Sequence, residues 1–209
     1  MPTELEMKLA IPNTQTAERI FEDPMVSENI SGDIKTTPMS SVYYDTPGNA
    51  LSTLRWSLRI RYENGNPIVS LKTPSVDVTG YMFSRNEWQV CCADIDKALP
   101  MLVDRGAPGQ ILEIIGQAPL VERCHIEFVR KSAILRMHDG VVVDMAIDNG
   151  TINADDKSQP ILQLELELLF GSPEALAPLS TLFTQKYKLE REVLSKYEKA
   201  LRLIRSRNQ

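Results

Sequence analysis

Two stretches of the chain, about 160 residues apart, alternate acidic with apolar residues. The first carries Glu4, Glu6 and Lys8, and the second, LQLELELLFG, carries Glu165 and Glu167. Because successive side chains of a strand point to opposite faces, the carboxylates of each stretch share one face. Carboxylates gathered in this way raise each other's pKa or require a cation. Oxygen ligands of this kind suit a hard divalent ion such as Mg²⁺ or Mn²⁺.

Other alternating stretches place basic residues together. Arg59 and Arg61 share a face of LRIR, and Lys72 follows in SLKTP. In a further alternating stretch, VVVDMAID, two acidic residues, Asp144 and Asp148, share a face. Arginine pairs suit phosphate oxygens, which accept bidentate hydrogen bonds. Segregated acidic and basic strands therefore suggest a bound metal beside a bound polyanion, with the charged faces turned into a barrel. The alternative is an ordinary half-buried sheet whose polar side meets water.

The elements that must position these residues are mostly short strands. Alternation and turn residues predict strands at residues 3–11, 40–47, 54–62, 68–74, 81–90, 123–130, 132–140, 141–148 and 161–171. Helical patterns follow at residues 13–23, 93–106, 172–187 and 191–207. Hairpin signals are ENGNP, Asp139-Gly140 and Asn149-Gly150, and short hairpins imply antiparallel pairing. The prediction is an α+β protein whose antiparallel strands close into a barrel, which removes exposed sheet edges.

Composition excludes several classes of protein. The net charge is −5 over 209 residues, whereas a general nucleic-acid binder usually carries a basic surplus. No apolar run approaches the roughly 18 residues of a membrane span, and the N-terminus lacks the pattern of a signal peptide. Three cysteines without a CxxC pair give neither a disulfide framework nor a structural zinc site. We therefore expect a cytoplasmic protein with no nucleic-acid or membrane partner.

The motifs, taken in chain order, resemble a known family. ExExK at Glu4, Glu6 and Lys8 is followed by YYDTP, LRIR, SLKTP, RNEW, VVVDMAIDNGTI, LELELLFG and a late LSK. This set resembles the CYTH superfamily, the triphosphate tunnel metalloenzymes named for class IV adenylate cyclases and thiamine triphosphatases. ExExK alone is weak evidence, because any alternating strand can produce it, but the ordered set is specific. The resemblance covers nearly the whole chain and predicts a single domain over residues 1–209.

The resemblance implies an eight-stranded antiparallel tunnel with flanking helices. It implies a metal-dependent hydrolase of inorganic triphosphate or a triphosphate-bearing compound, with Mg²⁺ or Mn²⁺ as cofactor. The implied triphosphate-binding residues are Lys8, Arg59, Arg61, Lys72, Arg85, Arg130 and Lys196. The implied metal site consists of Glu4, Glu6, Glu165 and Glu167, assisted by Asp144 or Asp148. The catalytic set comprises those four glutamates with Lys8, and Glu87 either contacts metal or orients an arginine.

Some features depart from the family pattern or leave alternatives open. Gln163 stands where relatives often have a third glutamate, and SKYEKAL around Lys196 replaces the AERGY of many members. Trp56 and Trp88 fall on apolar faces, which favours core packing over stacking on a base. The alternatives are a class IV adenylate cyclase, a non-catalytic polyphosphate-binding module, and a barrel whose apolar lumen carries an apolar ligand. The chain is expected to be a monomer or homodimer.

Overall fold

The computed structural model describes residues 3–75, 83–138 and 140–205. The strands are β1 Thr3–Ala10, β2 Ile30–Asp45, β3 Ser57–Glu63, β4 Asn66–Pro74, β5 Phe83–Cys91, β6 Val121–Arg136, β7 Val142–Ala154, β8 Lys157–Phe170 and β9 Glu190–Arg191. The helices are α1 Thr14–Glu22, α2 Pro24–Ser27, α3 Ala50–Thr53, α4 Ile95–Asp104, α5 Gln110–Ile115, α6 Leu176–Lys186 and α7 Lys196–Arg205. Residues 81, 82, 139, 206 and 207, which fall in predicted elements, lie outside the described residues.

The first eight strands form a closed antiparallel barrel. Their order is β5-β4-β3-β2-β6-β7-β8-β1, and pairing between β1 and β5 closes the ring. The two-residue β9 pairs with the end of β1, where Leu9 lies opposite Arg191. This arrangement confirms the predicted eight-stranded barrel with flanking helices. The hairpin predicted at ENGNP is confirmed as the β3–β4 hairpin, and Asn64 and Gly65 both adopt positive φ in its turn.

The long strands differ from the sequence prediction. β6 runs unbroken through residues that were predicted as two strands, since it pairs with β2 on one side and with β7 on the other. The predicted Asn149-Gly150 turn is wrong, because both residues lie inside β7. A Cβ added to Gly150 would lie 2.0 Å from the Glu127 carbonyl oxygen, so glycine here permits close approach to β6. The chain turns instead after Ala154, with Asp155 at a φ of 52°.

Apolar strand faces lie outside the barrel, beneath helices. On one side, Met7, Leu164 and Leu166 are buried in the cluster that includes Phe183 of α6. On the other side, the outer faces of β3, β4 and β5 pack beneath α3, α4 and α5, where Trp88 is buried. Each fully buried leucine stabilises the fold by roughly 1.5–3 kcal/mol. The outward direction of Leu164 and Leu166 removes the hypothesis of an apolar lumen.

A third apolar cluster involves the C-terminal helix. Tyr197 and Ala200 of α7 are buried among Met39, Ile126 and Ile152 of the barrel strands. The Tyr197 ring stacks on Tyr43, with centroids 4.7 Å apart. These contacts fix α7 against β2, β6 and β7 and bring its first residue, Lys196, to the barrel cavity.

No helix of the described residues is long and apolar enough to cross a membrane.

Candidate active site

The inward faces of all eight barrel strands and the start of α7 surround a cavity of about 70 Å³. Alternation places many of the charged strand residues on this inner surface, while residues between them such as Leu164 and Leu166 point outward. Every predicted site residue except Asp148 lines this cavity. The predicted residues that line the cavity are Glu4, Glu6, Lys8, Arg59, Arg61, Lys72, Arg85, Arg130, Asp144, Glu165, Glu167 and Lys196.

One part of the wall is acidic because of the register of three adjacent strands. Asp144 of β7 lies opposite Glu167 of β8, and Glu167 lies opposite Glu6 of β1. Glu4 lies on the same face of β1, two residues before Glu6. Residues directly opposite in an antiparallel pair have Cβ atoms about 5 Å apart, so these carboxylates repel one another. The sequence alone could not predict that these carboxylates form a row, because the row depends on the register between the strands.

The pKa values of this acidic row reflect burial and repulsion. Burial, together with the charges of Glu4, Glu6 and Asp144, raises the pKa of Glu167 to about 7. Burial also raises the pKa of Asp144 and that of Glu4. Glu6 behaves differently, since its ion pair with Lys8 at 2.6 Å outweighs burial and lowers its pKa. A row of carboxylates held this way gains stability by binding either protons or a cation.

The acidic row has the chemistry of a hard-metal site. Its ligands would be oxygen only, and the buried Oδ1 of Asp144 has no hydrogen-bond partner within the described part of the chain. As the side chains stand, the described residues contain no group of three or more His, Cys, Asp or Glu arranged to hold a metal ion. Glu4 is engaged by Lys72 and Glu6 by Lys8. Loading a metal would therefore require these two glutamates to exchange lysine for the ion.

The opposite wall is basic and well supported. Arg59 Nε donates to Ser70 Oγ at 3.0 Å, and Arg59 Nη1 donates to Tyr43 Oη at 3.1 Å. Glu87 lies 3.1 Å from Lys72 Nζ and 3.6 Å from an Arg59 nitrogen. Although burial opposes it, these two cations lower the pKa of Glu87 to about 2. Glu87 does not line the cavity, so this geometry favours the orienting role over metal contact.

A buried ion-pair cluster joins the barrel to α7. Asp148 is fully buried, and its carboxylate binds Arg130 at 2.7 Å and Lys196 at 2.6 Å. Glu165 accepts from the same two cations, at 2.5 Å from Arg130 and 2.7 Å from Lys196. Lys196 and Arg130 outweigh burial and hold the pKa of Glu165 well below its usual range. Gln163, which departs from the family pattern, donates from its Nε2 to Glu165 Oε1 at 2.7 Å and so helps to hold the Glu165 carboxylate.

This cluster changes the interpretation of two predicted metal ligands. Asp148 was expected to be able to assist the metal, but its position behind Arg130 and Lys196 leaves it off the cavity surface. Glu165 does line the cavity, yet both of its oxygens are engaged by cations or by Gln163. Removing either partner of a buried pair leaves an uncompensated charge, which is strongly unfavourable. Asp148 therefore positions Arg130 and Lys196.

Helix α7 begins with a capping box that sequence reasoning did not use. Ser195 Oγ accepts from the Glu198 backbone N–H at 3.1 Å, and the Ser195 backbone N–H donates to Glu198 Oε2 at 2.8 Å. Glu198 Oε2 also accepts from Arg85 at 3.3 Å. The capping box thus fixes the residue before Lys196 and connects it to the basic wall.

Further cavity-lining residues were not predicted as site residues. They are Tyr43, Ser57, Phe128, Ala146, Ser195 and Tyr197. Three of them stand inside motifs that the sequence had already singled out: Tyr43 in YYDTP, Ala146 in VVVDMAIDNGTI and Ser195 in LSK. For Phe128 the only available signal was strand alternation, which puts it on the face of Arg130.

Known proteins resemble this chain in sequence and in fold. The CYTH domain family model matches residues 2–201. An inorganic triphosphatase of Haemophilus influenzae is 28% identical over 156 residues, which make up 74% of this chain and 42% of that protein. The chain therefore spans less than half the length of this curated relative.

Two solved structures show the same fold. One is HpAC1 of Hippeastrum, described with a dominant triphosphatase activity, with a TM-score of 0.62, 18% identity and 93% of each chain covered. The other is a protein of Pyrococcus horikoshii OT3, with a TM-score of 0.57, 21% identity and coverage of 94% of this chain and 98% of that one. The family match over residues 2–201, on a chain whose barrel encloses this charged cavity, shows that the protein belongs to the CYTH domain family.

Proposed function

We propose that this protein is a metal-dependent hydrolase of inorganic triphosphate or a triphosphate-bearing compound. The observation that carries the proposal is the division of one cavity into a basic wall and an acidic row. A linear triphosphate presents charged oxygens along its length, which matches cations supplied by several strands. The inorganic triphosphatase of Haemophilus influenzae, similar over 74% of this chain, supports the same reaction class.

The basic residues bind and orient the substrate. In this proposal Arg59, Arg61 and Lys72 hold phosphate oxygens from one side, and Arg130 and Lys196 hold them from the other. The buried Arg61 Nε has no hydrogen-bond partner among the described residues, which leaves a donor for an anion. Pre-positioned cations are effective in phosphoryl transfer because they stabilise charge without reorganising during the reaction. Arg85 and Lys8 complete this set.

The acidic row supplies the proposed metal site. Glu4, Glu6, Asp144 and Glu167 would hold Mg²⁺ or Mn²⁺, and Glu165 serves mainly to position Arg130 and Lys196. A divalent ion bound there supplies Lewis-acid stabilisation of phosphate charge and can lower the pKa of an attacking water. Without metal, Lys72 and Lys8 hold the carboxylates of Glu4 and Glu6 in ion pairs. This proposal needs no Ser, Cys or His nucleophile.

The decisive experiment measures phosphate release from tripolyphosphate, ATP and thiamine triphosphate, with Mg²⁺, with Mn²⁺ and with chelator. We expect metal-dependent release from at least one substrate, and loss of that release in Glu6→Gln. Full activity in Glu6→Gln would remove the proposed metal site. Cyclic AMP and pyrophosphate from ATP would instead identify a cyclase. Triphosphate binding without turnover in any sample would identify a polyphosphate-binding module.

A further inference from the structure

A second cavity adjoins the first one. Its volume is about 230 Å³, several times the roughly 30 Å³ that one water occupies in the liquid. Ser57, Arg85, Ser195 and Tyr197 line both cavities, so the two share a wall. The second cavity therefore lies directly beside the first one, on the side of Arg85.

Two anchored elements build this second cavity. The buried carboxylate of Asp45 accepts from the backbone N–H groups of Leu51 and Ser52, both at 2.9 Å, which fixes α3 and the Arg55-Trp56 segment that follows it. Helix α7 forms the other side and is fixed by its capping box. Arg202 and Arg205 lie three residues apart on α7, a spacing that places them on the same helix face.

The lining of this cavity carries a strong positive charge. Arg55, Arg85, Arg202 and Arg205 line it together with one carboxylate, Glu198, which gives a net charge of +3 on a chain whose overall charge is −5. Glu198 lies 3.3 Å from Arg85 and 3.7 Å from Arg55. Within the described residues, the side chains of Arg202 and Arg205 have no hydrogen bond or ion pair. Like charges gathered without partners favour an anion.

We propose that this cavity is a second anion subsite, which binds the phosphate groups of a linear polyphosphate beyond the three held in the tunnel. This inference rests on the proposed function. It identifies longer linear polyphosphates as the preferred substrates of the protein. Arg85 contacts the chain where it passes between the cavities, and Arg202 and Arg205 bind its distal phosphates. Guanidinium groups suit this task because their planar forks match phosphate oxygens.

The test compares the affinities for tripolyphosphate and pentapolyphosphate by titration calorimetry in chelator. We expect the native protein to bind pentapolyphosphate at least about 10-fold more tightly, since each added charge-assisted contact contributes severalfold. In Arg202→Ala/Arg205→Ala this preference should fall to within about 2-fold, while affinity for tripolyphosphate stays nearly constant. Both arginines are exposed on a helix, where alanine is well tolerated, and a melting curve checks folding.

The control is Arg19→Ala/Arg105→Ala, which removes the same charge from exposed positions on α1 and at the end of α4. It should keep the preference for the longer chain. Equal affinity of the native protein for both chains, or equal weakening of both in the Arg202/Arg205 variant, overturns the subsite. The subsite is also overturned if the native protein prefers thiamine triphosphate to the polyphosphates and the Trp56→Ala variant lacks this preference. In that case the cavity holds an aromatic group.

Phosphate release from tripolyphosphate with Mg²⁺, measured on the same preparations, separates this inference from the proposed function. Release without chain-length preference overturns the subsite and leaves hydrolysis standing. Preference for the longer chain without release supports the subsite and contradicts hydrolysis.

Discussion

At the scale of single residues, the cavity depends on where each charge finds its partner. Arg59 is held by Ser70 and Tyr43 on its own wall and lies 3.6 Å from Glu87, so its guanidinium is fixed before any substrate binds. The sequence suggested that Asp148 could assist a metal, but its carboxylate is fully buried and forms ion pairs with Arg130 and Lys196. Residue type suggests the chemistry, and the partner determines the role.

Arg59→Ala should weaken the binding of tripolyphosphate about 10- to 100-fold, since a hydrogen bond to a charged group contributes roughly 1.5–3 kcal/mol. The fold should tolerate the change, because Glu87 keeps its ion pair with Lys72 at 3.1 Å. Titration calorimetry in chelator measures the affinity, and Arg105→Ala, on the outside of the barrel, is the control. Unchanged affinity would mean that Arg59 does not contact the phosphates.

Glu167→Gln should stabilise the metal-free protein at high pH. The pKa of Glu167 is raised to about 7 by burial and neighbouring carboxylates, against about 4.5 when unfolded, so the folded state binds its proton more tightly. The native protein therefore loses stability as pH rises from about 4.5 to 7, and the neutral variant avoids this loss. We expect a gain of about 1–2 kcal/mol at pH 8, below the full linkage value because solvent screens the cavity.

Urea unfolding in chelator at pH 8 and at pH 4 checks this prediction. The difference between variant and native protein should nearly vanish at pH 4, where residue 167 is neutral in both folded proteins and mostly neutral in the unfolded native chain. A variant that is less stable than the native protein at pH 8 would contradict the repulsion inferred for the acidic row.

At the scale of elements, the alternation of β1, β3, β7 and β8 was enough to predict which side chains share a face. The register between strands was not accessible from sequence, and register brings Asp144, Glu167 and Glu6 into one row. The break predicted at Asn149-Gly150 failed because a local turn signal was overruled by pairing on both sides of β7. Gly150 serves the close approach of two strands, which a turn rule cannot anticipate.

Gly150→Ala should therefore destabilise the barrel strongly. Its Cβ would lie 2.0 Å from the Glu127 carbonyl oxygen and 2.4 Å from Phe128 Cα, and both are backbone atoms that cannot move without disturbing β6. Overpacking of this kind costs about 3 kcal/mol or more. Gly109→Ala is the matched control, since nothing lies within 4 Å of its added Cβ. Chemical unfolding of both variants measures the difference, and similar stabilities would contradict the tight β6–β7 contact.

At the scale of the whole molecule, closure of the barrel links the site to global stability. The acidic row spans β7, β8 and β1, and the pairing of β1 with β5 completes the ring. Lys196 connects α7 to the same cavity through Asp148 and Glu165. An ion or anion that bridges these elements binds the folded state alone, so its binding free energy adds to the free energy of unfolding.

Mg²⁺ or Mn²⁺ without substrate should accordingly raise the unfolding temperature above its value in chelator. At about 100 times the dissociation constant the added stability is about 2.7 kcal/mol, or about 5–10 °C for a chain of this size. Asp144→Asn should lose most of this shift, because it removes a member of the acidic row. Asp156→Asn makes the same charge change on the exposed β7–β8 turn and should keep the shift. If the metal shift is equal in both variants, the ion binds elsewhere; if the native protein shows none, the acidic row is not a metal site in the absence of substrate.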